Sequence, residues 1–473
     1  MTSIDFPADD QGRRSTSAFG KAVVADALRQ VDPTGAAAAQ REPNWRAGYV
    51  AHMRRLVEAG LASPEDWRTI ARSGLDSIHS RLVVGDQPLA EWSASSQPPK
   101  TAVIKGEAEP LEELVIPYRG QRLKGAELQA QLESWQEAGV LEPGVIDAVL
   151  TVAANPEWLR AEGRTIVAVG AGSEMGPFTS LLRWGARVAA VDLPRPDMWE
   201  RLAGVAAERA GTMTVPTATG EVKDAGVDVT SAVPELTEWL AGLEGQLVLG
   251  NYVYADGAAN VRVCAAVDAL TTGLLRQRPD TALGFLATPT DVFAVPGDAV
   301  DFSVAAFAAR SKVSKALTRP LRAVSGNRLL TRQYTPGIDP GLNDSLVSQQ
   351  GPNYALAKRL QRWRATVART EGTTVSLNVA PPTRTRSVVK NRALAAAYAG
   401  AHRFGVEVFE PATSNVLMAA LLIHDLHVPM PAHEHPWQDE AAHAVHGGLW
   451  RTGYAPRSAL GLAALLGLGA SRA

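Results

Sequence analysis

Tyr354 and Lys358 stand four residues apart in the stretch Gly351-Pro-Asn-Tyr-Ala-Leu-Ala-Lys-Arg-Leu-Gln-Arg-Trp. On a helix that spacing places both side chains on one face, where an ammonium can lie close to a phenol and lower its pKa. A tyrosine tuned in this way gives or takes a proton near neutral pH. Many exposed helix faces carry such a pair with no chemical role. Its meaning therefore depends on the elements that position it.

Upstream, the run Arg164 to Asp192 opens as an apolar strand, breaks at Gly170, Gly172 and Gly176, and resumes as a helix with Pro177 near its first turn. Proline costs little there, because the missing N–H has no helical partner. A second apolar strand, Arg187 to Val191, ends at Asp192. Glycines let the backbone approach a pyrophosphate, so the turn residues Gly170, Gly172, Ser173, Glu174, Met175 and Gly176 are expected to line a cofactor. Asp192 is expected to accept hydrogen bonds from the adenosine ribose. An ordinary tight turn would lack this sequence of strand, glycine turn, helix, strand and acid. S-adenosylmethionine enzymes share that first half, so the later elements have to discriminate. Further strands are expected at 246–252, 281–290 and 374–383, with Gly226-Val-Asp-Val-Thr230 following a third strand.

In this order the parts resemble the short-chain dehydrogenase/reductase family over roughly residues 160 to 425. The matching positions are Gly172 and Gly176, Asp228 and Val229 at the adenine, Asn251 after strand four, Thr288 or Thr290 after strand five, Tyr354 with Lys358, and Pro381-Pro382 with Thr385. The departures are Phe178, where the family carries a further glycine, and a large insertion between strand five and the tyrosine. The hydroxyl partner is then Thr288 or Thr290 if it stays on the strand, and Ser345 or Ser348 if it has moved. Asn260 is the candidate for the family's catalytic asparagine, at too short a spacing.

The resemblance implies an α/β, doubly wound parallel sheet of Rossmann type and an NAD(P)-dependent oxidoreductase. Tyr354 would exchange a proton with a carbonyl or alcohol, and Lys358 would hold the nicotinamide ribose and depress the tyrosine pKa. A threonine or serine would orient the substrate. Asp192 favours NAD, because a carboxylate repels a 2′-phosphate, while Arg195 keeps NADP open. The alternatives are an S-adenosylmethionine-dependent methyltransferase and a non-catalytic dinucleotide-binding sensor. The family's habit of pairing subunits near the Tyr-Lys helix implies a homo-oligomer, a dimer or tetramer, unless the extra segments cover that face.

Four parts are expected in the 473 residues: a disordered N-terminus (1–20), a mainly helical module with a small hairpin (21–160), the catalytic domain (161–425), and a histidine-rich cap (426–473). The hairpin is placed at Thr101 to Ile104 and Glu113 to Pro117, and Ser63-Pro-Glu-Asp reads as a helix start. One cysteine, Cys264, excludes an internal disulfide framework, and a net charge of −2 gives no sign of nucleic-acid binding. The longest apolar stretches, around Val416 to Ile423 and Leu460 to Gly469, are too short for a membrane span, and the polar start of the chain is unlike a secretory signal. A cytoplasmic enzyme with a small-molecule substrate is the expectation.

Two segments bear on substrate and metal. The insertion 291–353 carries Arg310, Lys312, Lys315, Arg319, Arg322, Arg328 and Arg332 with no acid among them, above an apolar underside of Val313, Leu317, Leu321 and Leu329. It reads either as a lid for an anionic, carrier-linked acyl group or as a solvated basic helix. Six of the nine histidines fall between His424 and His446. They match no metal-binding spacing and look like loop, so no metal is expected.

Overall fold

The computed structural model describes residues 3–93, 97–310, 320, 322–326, 328–431 and 433–468. Strands β1 (Lys100–Lys105), β2 (Arg164–Val169), β3 (Arg187–Val191), β4 (Thr212–Thr217), β5 (Gln246–Asn251), β6 (Ala282–Ala287) and β9 (Val375–Val379) form one seven-stranded sheet in the order β9-β6-β5-β2-β3-β4-β1. All neighbours are parallel except β1, which runs antiparallel to β4. Strands β7 (Val292–Val295) and β8 (Gly341–Asp344) pair separately, antiparallel, within the insertion.

The central strands read as continuous apolar runs because both sheet faces are covered. Successive side chains alternate between two cores. Val167, Val169, Leu247 and Leu249 enter one, with Cys264 and Val267 of helix Ala258–Gln277 and Leu360 and Trp363 of helix Pro352–Thr370. Ile166, Ala168 and Val248 enter the other, with helices Pro143–Ala154 and Pro411–His427.

Four N-terminal helices, Thr16–Leu28, Pro33–Arg41, Trp45–Gly60 and Pro64–Arg81, stack over the first face. Each starts on a side chain that accepts a backbone N–H three residues on: Ser15, Asp32, Asn44 and Ser63. Helix Pro64–Arg81 meets helix Pro352–Thr370 so closely that a Cβ at Gly74 would lie 2.3 Å from the Trp363 ring. The module thus covers a face of the Tyr354 helix.

Several expectations need correction. Residues 3–20 are ordered, not disordered: Ile4 and Phe6 are buried, Phe6 meets Phe19 edge-on at 5.1 Å, and Ile4–Asp5 pairs with Val83–Val84. The stretch 100–105 is not half of a local hairpin but the edge strand of the main sheet, whose partner lies over a hundred positions downstream. The hairpin is made instead by Ile116–Tyr118 and Gln121–Leu123. His424 and His427 sit on a helix, not in a loop. Helix Ala258–Gln277 is long and apolar enough to span a membrane by length and composition alone. Here it is packed against the sheet, with Asp268 in a buried ion pair to Arg364.

Candidate functional site

The carboxyl ends of the parallel strands bring the expected residues to one edge of the sheet. After β2 the chain turns at Gly170, φ +84°, whose amide donates to the Val191 carbonyl (2.8 Å). A Cβ there would lie 2.8 Å from the Tyr252 carbonyl group, so only glycine lets the ends of β2 and β5 approach. Asp192 folds back onto this turn: one oxygen accepts the Gly172 N–H (2.8 Å), the other the Leu193 N–H (2.8 Å). Ser173 closes the turn through its amide on the Gly170 carbonyl (2.9 Å), and Met175 packs on the second core. Asp228 caps a short turn by accepting from Thr230, next to Val227, whose amide donates to the Asp192 carbonyl (2.9 Å). Asp228 and Val229 therefore lie near Asp192.

The helix after the glycine turn begins at Phe178 and runs only to Arg183. Phe178, which replaces a glycine of the family pattern, is a buried core residue. Glu174 does not face a ligand alone: it accepts the Arg386 N–H (2.8 Å) and pairs with the Arg386 guanidinium (3.1 Å). That bridge ties the turn to the loop of Pro382 and Thr385. Asn415, absent from the sequence reading, anchors the same turn by donating to the Gly176 carbonyl.

On the other side of the switch between β2 and β5, Lys358 donates to the Leu286 carbonyl (3.1 Å) and to Gln361 (3.1 Å). Gln361 in turn donates to Asn251 (3.1 Å), a buried residue at the end of β5. Gln361 was missed, although its position three residues beyond Lys358 puts it on the same face.

Tyr354 is half-buried, its ring edge-on to Tyr254 at 6.2 Å, with Thr288 near enough to lower its pKa. Thr288 shares a hydrogen bond with Thr290 (2.9 Å), and Gln350 donates to Thr290 (3.0 Å). Of the candidate hydroxyls, Thr288 is the one beside Tyr354. Ser345 is buried on Asn343, and Ser348 is exposed with its hydroxyl on Gln349. Asn260 is spent locally, accepting the Ala255 N–H (3.1 Å).

Burial pushes the Tyr354 phenol well above its usual range, Thr288 opposes this, and the neighbouring Tyr398 and Tyr254 add to it. The expectation that Lys358 depresses this pKa is not met. The ammonium is aimed at Leu286 and Gln361, and burial pushes its own pKa down.

Beside Thr290 opens a pocket, apolar but for a few groups, walled by Leu394, Tyr398, Phe404, Leu449 and Tyr454. Of the basic insertion, Lys312, Lys315, Arg319, Val313, Leu317 and Leu321 lie outside the described residues. Arg310 stacks over Phe307, 3.4 Å from the ring centre, and donates to the Tyr454 hydroxyl (3.0 Å).

No protein-family model and no curated protein matches the chain. Among solved structures it is similar to the terminal R domain from the myxalamid PKS-NRPS biosynthetic pathway. That likeness has 15% identity and a TM-score of 0.28 over 62% of this chain and 68% of the other, too distant to bear on fold or activity.

Proposed function

We propose that this chain is an NAD(P)-dependent oxidoreductase of the short-chain dehydrogenase/reductase type, acting on the carbonyl or alcohol of an apolar, acyl-bearing substrate. The observation that carries this reading is the meeting of Tyr354 with Thr288, one turn from Lys358, at the carboxyl end of the parallel strands. Counted from β2, the six parallel strands run 3-2-1-4-5-6, the order in which doubly wound sheets bind dinucleotides at the switch point.

The residues present fit such a cofactor. Gly170 makes a tight turn with φ +84° after β2, and Asp192 keeps lone pairs free beyond the two amides it holds. The turn at Gly170 would hold the pyrophosphate side, Asp192 the adenosine ribose, and Lys358 with Asn251 and Gln361 the nicotinamide side. Asp192 favours NAD over NADP. When bound, the cofactor supplies the hydride.

The chain's own groups do the rest. Tyr354 would exchange a proton with the substrate oxygen and Thr288 would position that oxygen; burial, which raises the phenol, makes it a weaker acid, so bound cofactor and substrate must offset that rise for the transfer to run near neutral pH. The apolar pocket would exclude water and take the substrate's hydrocarbon part. The test is NADH oxidation with straight-chain aldehydes and acyl thioesters, compared between the wild type and Tyr354→Phe. Turnover that collapses in the variant while NADH binding persists supports the reading; full activity in the variant overturns Tyr354 as the proton donor.

A further inference from the structure

His424, Asp425 and His443 form a compact cluster on the sheet face opposite the Tyr354 helix. Ser376 and Asn378 of β9 point to this side, whereas Leu377 and Val379 enter the core shared with helix Pro352–Thr370. His424 Nδ1 and His443 Nδ1 each lie 3.1 Å from the same oxygen, Asp425 Oδ1, and the two rings stand edge-to-face at 5.0 Å. The ligand atoms of all three residues fall within 4.8 Å of one another.

Hydrogen bonding alone does not account for the arrangement. His443 Nδ1 is buried beside Asp425 yet has no hydrogen-bond partner, because its contact with Oδ1 lacks hydrogen-bond geometry. Asn378 donates its Nδ2 to Asp425 Oδ2 (3.0 Å), while its own oxygen is buried with no partner. Tetrahedral zinc with bonds near 2.0–2.2 Å requires its ligand atoms roughly 3.3 Å apart, close to both nitrogen-to-oxygen separations here.

The surroundings are also those of a metal ligand set. Asp425 Oδ2, the oxygen not facing the imidazoles, is fixed by the Ser376 hydroxyl (2.7 Å) and by Asn378. Ligating carboxylates are commonly oriented by such outer hydrogen bonds. Two imidazoles and one carboxylate suit zinc or another first-row divalent ion; calcium and magnesium prefer oxygen throughout.

We infer that His424, Asp425 and His443 bind one divalent transition-metal ion, zinc in the first instance, with the fourth position left to solvent. An ion there would join helix Pro411–His427 to the C-terminal segment, adding to the Val445 amide on the Val379 carbonyl, the Glu142 amide on the Ala444 carbonyl and the His446 contact with Glu142. That segment leads to Leu449, Thr452 and Tyr454 in the wall of the apolar pocket, so the ion would hold the wall in place. The inference stands whether or not the chain is an oxidoreductase.

The test uses the full, untagged chain, stripped with a chelator and titrated with cobalt(II) and then zinc. The expected result is one equivalent of cobalt per chain with the visible absorption of a tetrahedral nitrogen-oxygen site, displaced by zinc, and a melting temperature raised by about 2 °C or more with saturating zinc. Asp425→Asn and His443→Gln should each weaken binding at least about 100-fold. A wild type that binds less than a tenth of an equivalent overturns the inference. So does undiminished binding in a folded His424→Gln/His443→Gln double variant, because the ion would then sit on other imidazoles such as His433 and His435. If the variants do not fold, the wild-type stoichiometry and cobalt spectrum decide alone.

Discussion

Helix Pro352–Thr370 makes two very different sets of contacts. One set, from Tyr354, Lys358 and Gln361 at the strand ends, consists of hydrogen bonds to amide and carbonyl groups and a neighbouring hydroxyl. The other is made by three buried arginines. Arg359 and Arg362 share Asp291 (3.0 and 2.8 Å), Arg362 also reaches Glu440, and Arg364 grips Asp268 through two nitrogens (2.7 and 2.8 Å). His79 of the N-terminal module stands 2.6 Å from the same Asp268.

Buried ion pairs gain little net stability over apolar packing, but breaking one partner is expensive, so they hold elements in a single arrangement. Here they lock the helix to the insertion through Asp291, to the C-terminal segment through Glu440 and to the N-terminal module through Asp268 and His79. The residues at the strand ends are then positioned through the helix rather than by ion pairs of their own. This division makes a sharp prediction: substitutions in one set should cost activity and in the other stability.

The largest effect is expected at Tyr354. Tyr354→Phe should lower the rate of hydride transfer on the order of 10²–10⁴-fold while leaving the urea midpoint unchanged. A midpoint that falls with the rate would mean that the phenol is structural. Arg362→Met leaves Asp291 and Glu440 without their shared partner and should cost about 3–5 kcal/mol of unfolding free energy. A loss below about 1 kcal/mol, the scale of an exposed pair, would dissolve the comparison.

The buried acids also set a pH dependence. Burial alone would raise Glu142, but His446 and Arg451 hold it down at about 2; Asp268 is likewise held low by Arg364 and His79 against the effect of burial. These folded-state values lie below the unfolded ones, so the stability they confer is complete above about pH 4.5 and drains away as pH falls toward 2. Urea midpoints at successive pH values should show that decline, and Glu142→Gln should flatten it; a variant as acid-sensitive as the wild type would remove Glu142 from the account. The smallest effect concerns cofactor choice. Asp192→Ala should narrow any preference for NADH over NADPH by roughly tenfold, about 1.4 kcal/mol, in paired affinity measurements. An unchanged ratio would mean that Asp192 serves only the turn it already holds.

Sequence reading succeeds where the signal is local. The parallel strands stand out because apolar runs end at glycines or polar turns, and Thr288 was reachable as the hydroxyl that follows β6. The Tyr354–Lys358 spacing is equally local. The mounting of the same helix is not, because Asp268, Asp291 and Glu440 lie about 70 to 100 residues away from the arginines they meet. Read alone, Arg359, Arg362 and Arg364 pass for solvated positions. The edge strand β1 was hidden for the same reason, since its antiparallel partner β4 is distant in sequence. The meeting of His424 and His443 on Asp425 was hidden in the same way, because it exists only after the C-terminal segment folds back over β9.

The measurement that bears most directly on the central claim is calorimetric titration of the purified chain with NADH, NADPH and S-adenosylmethionine in parallel. The account predicts saturable binding of a nicotinamide cofactor, NADH the tighter, and none of S-adenosylmethionine. Binding of S-adenosylmethionine alone would contradict it and leave the meeting of Tyr354 with Thr288 without a hydride to serve.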